Sequence, residues 1–244
     1  MCTWTRKLYV LYRPLELQVD ARSLSSPLKR RRPYRKTCAL IRWDKYPLTL
    51  YPQAIATLLH VAEDIRNMKN KAAVVVGSTQ SDYNGQVNHG GIIVNGSWWN
   101  TNLVVPGDRP ISCDTLNGNC VLIAKCVAHR IGNLDSLFIH TMGDIGYGFR
   151  VRAVGFPLVV VPGFARKCQS NPITNTYEDD TLPLRERLSK IADIKGRPLK
   201  PWFIFLWRHF GWLGLFYWTG TYVKVVLTSL RTFVRSKMQK KSGK

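Results

Sequence analysis

The sequence predicts a mixed α/β domain, and three observations carry that prediction. Apolar runs rich in β-branched residues alternate with segments whose apolar residues recur at helical spacing. The 244 residues are 45% hydrophobic and 11% aromatic, enough for one sizeable core and too apolar for a globally disordered chain. The formal charge of +21 is carried by the two ends and leaves the centre neutral. Residues 1–50 hold 12 Lys/Arg against 3 Asp/Glu, residues 51–194 hold 13 against 12, and residues 195–244 hold 11 against none. A neutral centre between basic ends points to specific work in the middle and a polyanionic surface met by the ends.

The elements follow in order. Residues 1–50 lack a convincing period and are expected to be poorly ordered. Their run KRRRPYRK (29–36) reads as a solvated charge cluster or as a phosphate contact. From Pro52, the residues Ile55, Leu58, Leu59, Ala62 and Ile65 give a helix ending near Lys71. A strand is expected over 72–78, a polar turn follows, and a short strand over 92–95 precedes a loop at Pro106–Pro110. Next come a strand near 119–123, a helix over 125–131, a loop through Asp135, a helix after Asp144 and a strand over 156–161. Residues 163–172, GFARKCQSNP, read as a polar loop at the carboxyl end of that strand. Ligands bind at that end of open α/β sheets, and Arg166 and Lys167 can hold a diphosphate there; an ordinary polar loop is the competing reading. An amphipathic helix over 182–190 and a proline-punctuated link, KGRPLKPW, complete the centre.

The C-terminal end is aromatic and basic. Between Arg208 and Lys224 only 15 residues lack a formal charge, short of the roughly 20 needed to span a bilayer. Trp and Tyr favour the headgroup zone, and each nearby Lys or Arg gains about 1 kcal/mol at an anionic leaflet. Residues 195–244 therefore read as a helical extension anchored at a membrane interface, or as a helix packing its aromatic stripe on its own domain. The six cysteines show neither C-x-x-C pairs nor zinc spacing, so they read as reduced thiols in a cytosolic protein. No histidine has a partner at metal-ligand spacing, and His89, His140 and His209 are polar contacts at most.

Asp144 is the leading candidate functional residue. It sits in a short polar turn, followed by the helical pattern Ile145, Phe149, Ala153 and by Arg150 and Arg152. A carboxylate there satisfies orphan backbone N–H groups as a helix cap, or serves as a general base at the lip of a sheet.

The motifs VVVGS (74–78), YNG (83–85), HGG (89–91), CDTLNGNCVLI (113–123), RIGNLD (130–135), MGDIGYGFRVRAVG (142–155), VVPG (160–163), CQSNP (168–172), LPLRERL (182–188) and KGRPLKPW (195–202) occur in order over some 150 residues. Together they resemble family 2 glycosyltransferases, in particular bacterial rhamnosyl- and galactosyl-transferase-like members that build surface polysaccharides. The resemblance implies a GT-A (nucleotide-diphospho-sugar transferase) fold over 51–194 and inverting transfer of a sugar from a nucleotide-sugar donor to a glycan or lipid-linked acceptor. It implies Asp144 as the general base. Asp114, Asn117, Gly118, Arg150, Arg166 and Lys167 are the expected substrate contacts, with glycine allowing close approach. It further implies a Mg or Mn ion and a cytoplasmic enzyme held peripherally on the inner face of the membrane. No specific nucleic-acid partner is expected, since the neutral centre offers no reader surface.

The sequence departs from the family at two points. Gly146 stands where many relatives carry a second acid. No Asp-x-Asp metal motif precedes the helix at Pro52; residues 41–51 read IRWDKYPLTLY, with Asp44 alone and no metal ligands identifiable. The change near residue 50 suggests a truncated or frame-disrupted product. The alternative function is a non-catalytic remnant or a membrane- and glycan-binding module.

Overall fold

The structure is a computed structural model that describes residues 38–41, 50–138, 142–169 and 173–242. The expectations for residues 1–37, for Asp44 and for His140 lie outside the described residues. The chain divides into two compact units. The first takes the described residues up to Asn95 together with Thr101–Asn133 and Tyr147–Gln169; the second takes Gly96–Asn100, Leu134–Gly146 and the chain from 173 onward.

The first unit is mixed α/β. Its centre is β2 (Val74–Ser81), which pairs in parallel with β9 (Leu158–Cys168) and antiparallel with β8 (Val121–Ala124). Strand β1 (Cys38–Ile41) lies antiparallel on β8, β6 (Ile111–Ser112) antiparallel on β9, and β3 (Val87–His89) antiparallel on the far half of β2. Val74, Val75 and Val76 are wholly buried, as a strand covered on both faces requires. On one face lies α1 (Ala54–Lys69), whose Ala54, Leu58, Val61 and Ile65 recur at helical spacing and pack on Val75, Leu122, Val159 and Val161. The helix stops at Asn70, which takes the left-handed conformation after the cations Arg66 and Lys69.

The opposite face is met by a three-stranded sheet in the order β5 (Thr101–Leu103), β4 (Gly91–Val94), β7 (Thr115–Leu116). The approach is close: a Cβ on Gly91 would lie 2.3 Å from Val160 Cγ2 and 2.7 Å from Cys113 Sγ. Helix α2 (Lys125–Ile131) follows β8 directly. Helix α3 (Gly143–Ala153) lays Tyr147, Gly148 and Val151 inward, and a Cβ on Gly148 would meet Thr115 Oγ1 at 2.4 Å and its Cα at 2.8 Å.

Several elements differ from the sequence reading: residues 38–41, in the segment expected to be poorly ordered, form β1, and β3, β5, β6 and β7 fall where no strand was expected. Residues 163–168 belong to β9 and are not a loop. After register shifts at Val76/Ser78 and Ser78/Thr79, the second of which skips Ala165, Thr79–Ser81 of β2 pair residue by residue with Arg166–Cys168. The ladder hydrogen bonds outweigh the turn signal of Pro162-Gly163, and the exposed Gly163, at φ +65°, absorbs the irregularity. Arg166 is consequently 2% exposed, a buried strand residue, while Lys167 points to solvent.

The second unit is helical: α4 (Leu184–Ala192), α5 (Leu199–Phe210) and α6 (Trp212–Ser242). Helix α5 starts inside the segment read as a link, behind Pro198. Its Trp202, Phe205 and Leu206 are fully buried, so α5 packs its aromatic stripe within this unit. Trp202 stacks on Phe205, and Trp98 stands within 6 Å of Trp202, Phe205 and Phe210. Gly211, at φ +55°, ends α5. Arg187, 3% exposed, donates to Ser229 Oγ at 2.7 Å and to the Tyr177 carbonyl at 2.8 Å. Arg197 bonds the Tyr177 hydroxyl at 3.0 Å and lies 4.3 Å above the Trp202 ring. Among the described residues, no helix is long and apolar enough to cross a membrane.

Trp98→Ala removes three ring contacts from this core. The variant is expected to lose ~3–5 kcal/mol, read as a lower urea midpoint; a loss under ~1 kcal/mol would contradict the packing described.

Candidate functional site

Asp144 is the second residue of α3, in its first turn, and is half-buried. Its Oδ1 accepts a hydrogen bond from the Ile145 N–H at 2.8 Å. Carboxylates are stabilised there by the positive end of the helix dipole and by orphan amides. Asp144 is therefore not the N-cap read from sequence: it stands inside the first turn, where its carboxylate meets the next backbone N–H, rather than at the residue before the helix. That residue place belongs to the chain around Met142, which is buried and holds φ at +72° while its carbonyl accepts the first helical bond, from Gly146 N–H at 2.7 Å. A left-handed conformation in a bulky residue costs about 1–3 kcal/mol and recurs beside functional groups that must be aimed.

Three of the other expected contacts are engaged within the first unit. Asp114 lies between β6 and β7; one oxygen pairs with Arg152 and the other accepts the Val94 N–H at 2.7 Å, tying the end of β4 to α3. Arg150 donates to the Ile131 carbonyl at 3.0 Å, the last of α2, and to the Asn133 carbonyl just beyond the helix at 2.7 Å. Asn117 donates its backbone N–H to Gly90 O at 2.8 Å in the turn that also holds the buried Gly118.

Arg166 comes into register with residues the sequence did not single out together. Across β3, β2 and β9 the row reads His89, Thr79, Arg166, and the next row reads Val87, Gln80, Lys167. Thr79 Oγ1 donates to Asn88 Oδ1 and lies 3.3 Å from His89 Nδ1, and Asn88 Nδ2 donates to Cys168 O at 2.8 Å. This polar patch occupies the carboxyl ends of the parallel pair β2 and β9, where open α/β sheets place ligands. Its only sequence signal was the HGG motif beside VVVGS. The Ser78 hydroxyl and the Tyr147 phenol are buried and make no hydrogen bond among the described residues. A shallow cleft of about 250 Å³ lies nearby, between the start of α1 (Tyr51, Gln53, Ala54, Thr57) and the bend of β9 at Pro162–Ala165; none of the residues picked from the sequence lines it.

The described residues do not fit the divalent metal that the resemblance implies. No three His, Cys, Asp or Glu side chains gather at one place among them, and Asp114 has both oxygens engaged. A scan against models of known protein families and a search of curated proteins find no match to this chain.

Two predictions follow from this geometry. Arg150→Met keeps the aliphatic stem and removes both bonds to the carbonyls of Ile131 and Asn133; a loss of ~1–3 kcal/mol is expected in urea unfolding, and an unchanged midpoint would contradict the staple. The second concerns pH. Burial pushes the Tyr147 phenol up to about 12, the Cys113 thiol up to about 12 and the Cys120 thiol up to about 11, from ordinary values of 10 and 9. All three are neutral when folded and ionise more readily when unfolded. Their contribution is complete below pH 9 and is lost as pH rises through the folded values, so the urea midpoint should fall between pH 9 and 12. The fall should be shallower in Cys113→Ala.

Proposed function

We propose that the chain is an inverting glycosyltransferase of family 2 with a GT-A fold, in which Asp144 is the general base. Support for the fold comes from the ordered motifs and from a mixed sheet whose parallel pair, β2 and β9, is flanked by antiparallel strands. The observation that carries the catalytic reading is the placement of Asp144 in the first turn of α3, two residues after the strained Met142.

In this reading an acceptor hydroxyl gives its proton to the Asp144 carboxylate as its oxygen bonds to the anomeric carbon of the donor sugar. The bond from that carbon to the nucleoside diphosphate breaks on the opposite face, so configuration inverts and the nucleoside diphosphate leaves with the electron pair. The donor is a nucleotide sugar and the acceptor a glycan or lipid-linked sugar. Lys167, exposed at the end of β9, is the donor-side cation of this reading, whereas Arg166 is buried in the strand and too enclosed to meet a donor; Asn117 and Gly118 are the sugar contacts that the resemblance implies. The protein works peripherally at the cytoplasmic face of a membrane.

The engagement of both Asp114 oxygens favours a second reading, a non-catalytic module that holds a glycan or a membrane. Activity separates the two. Release of nucleoside diphosphate from a panel of nucleotide sugars, with lipid-linked acceptors present, is expected for the intact chain. Asp144→Asn should lower turnover by about 10²–10⁴-fold with donor affinity nearly unchanged. Equal turnover in the variant rules out the base assignment, and no release by either protein selects the module.

A further inference from the structure

Helix α6 has two unlike faces. Tyr217, Val225 and Ser229 are buried within the second unit. The opposite side exposes Phe216, Val223, Leu227, Leu230 and Val234, each about half or more accessible, at spacings of seven, four, three and four residues. Those intervals hold one face of a helix in line over five turns. Trp212, 74% exposed, stands at the head of the stripe. Lys224, Arg231 and Arg235 flank it on one side and Lys237 on the other, all exposed. With 31 residues the helix is ~46 Å long at 1.5 Å per residue.

The geometry points to α6 as a helix that lies in the plane of an anionic lipid surface, with Phe216, Val223, Leu227, Leu230 and Val234 in the acyl boundary and the flanking cations on the headgroups. The charge pattern selects this occupant. Residues 195–244 contain 11 Lys/Arg and no acid, so two copies meeting along the stripe would set cation against cation with no carboxylate to pair. An anionic leaflet matches both the apolar stripe and its flanks, and a Trp at the stripe end suits the interface. Crossing the bilayer is not the geometry, since no described helix is long and apolar enough. The assignment deepens the peripheral location proposed above and stands independently of sugar transfer.

Co-sedimentation of the full chain with phosphatidylcholine vesicles, with and without phosphatidylserine, tests it. Pelleting with the phosphatidylserine vesicles is expected, and Leu227→Glu/Leu230→Glu should reduce the bound fraction at least tenfold at an unchanged thermal midpoint. Brominated phosphatidylcholine in the anionic vesicles should quench the wild-type tryptophan emission, and Trp212→Phe should lose a clear part of that quenching. This second readout keeps the test decisive if the double variant fails to fold. Binding that survives the glutamate pair, or quenching untouched by Trp212→Phe, overturns the proposal. So does a wild-type dimer that does not pellet and is dispersed by the glutamate pair, which selects a second copy. Retention on duplex DNA without pelleting, lost in Lys224→Glu/Arg231→Glu alone, overturns it in favour of nucleic acid.

Discussion

The parallel pairing of β2 with β9 is the constraint on which the first unit depends. Its apolar half, Val74–Val76 against Leu158–Val160, forms the floor on which α1 packs and against which β4 presses through Gly91. Its polar half, displaced by two register shifts, brings Thr79 beside Arg166 and Gln80 beside Lys167. Without the pairing, the segment after Pro162 has no partner for its backbone groups, and a strand with turn-forming residues has no reason to persist. The same ladder therefore builds the core at one end and gathers polar side chains at the other.

The charged residues divide into two kinds. Asp114, Arg150 and Arg152 tie elements together: Asp114 and Arg152 join the β4 end to α3, and Arg150 binds the carbonyls of Ile131 and Asn133. Asp144 is different, because the backbone before it is held in a conformation that bulky residues avoid. Strain of this kind persists only where surrounding structure enforces it. That contrast separates Asp144 from its neighbours.

Much of this was legible in the sequence where local signals and tertiary context agree. Helix α2 runs over the residues expected, and α1 differs only at its ends, since its apolar spacing matches the face that packs on the sheet. The extension of β9 was not legible, because Pro162 and Gly163 signal a turn and the ladder partners that override them, Ser78–Ser81, lie far earlier in the chain. The roles of Asp114 and Arg150 were hidden for the same reason: their partners, Val94, Arg152, Ile131 and Asn133, are neighbours only in the fold. In the C-terminal segment, composition alone offered two readings, packing within the protein or exposure at an interface. The structure separates them by helix, with α5 buried through Trp202 and Phe205 and α6 carrying the exposed stripe.

The central claim is that this fold receives a nucleotide sugar. Calorimetric titration of the intact chain with nucleoside diphosphate-sugars, run with and without Mg²⁺ or Mn²⁺, tests it most directly. The account predicts saturable, one-site binding of at least one donor, weaker for the corresponding free sugar. Absence of binding for every donor, under both conditions and with protein of intact urea midpoint, would contradict it.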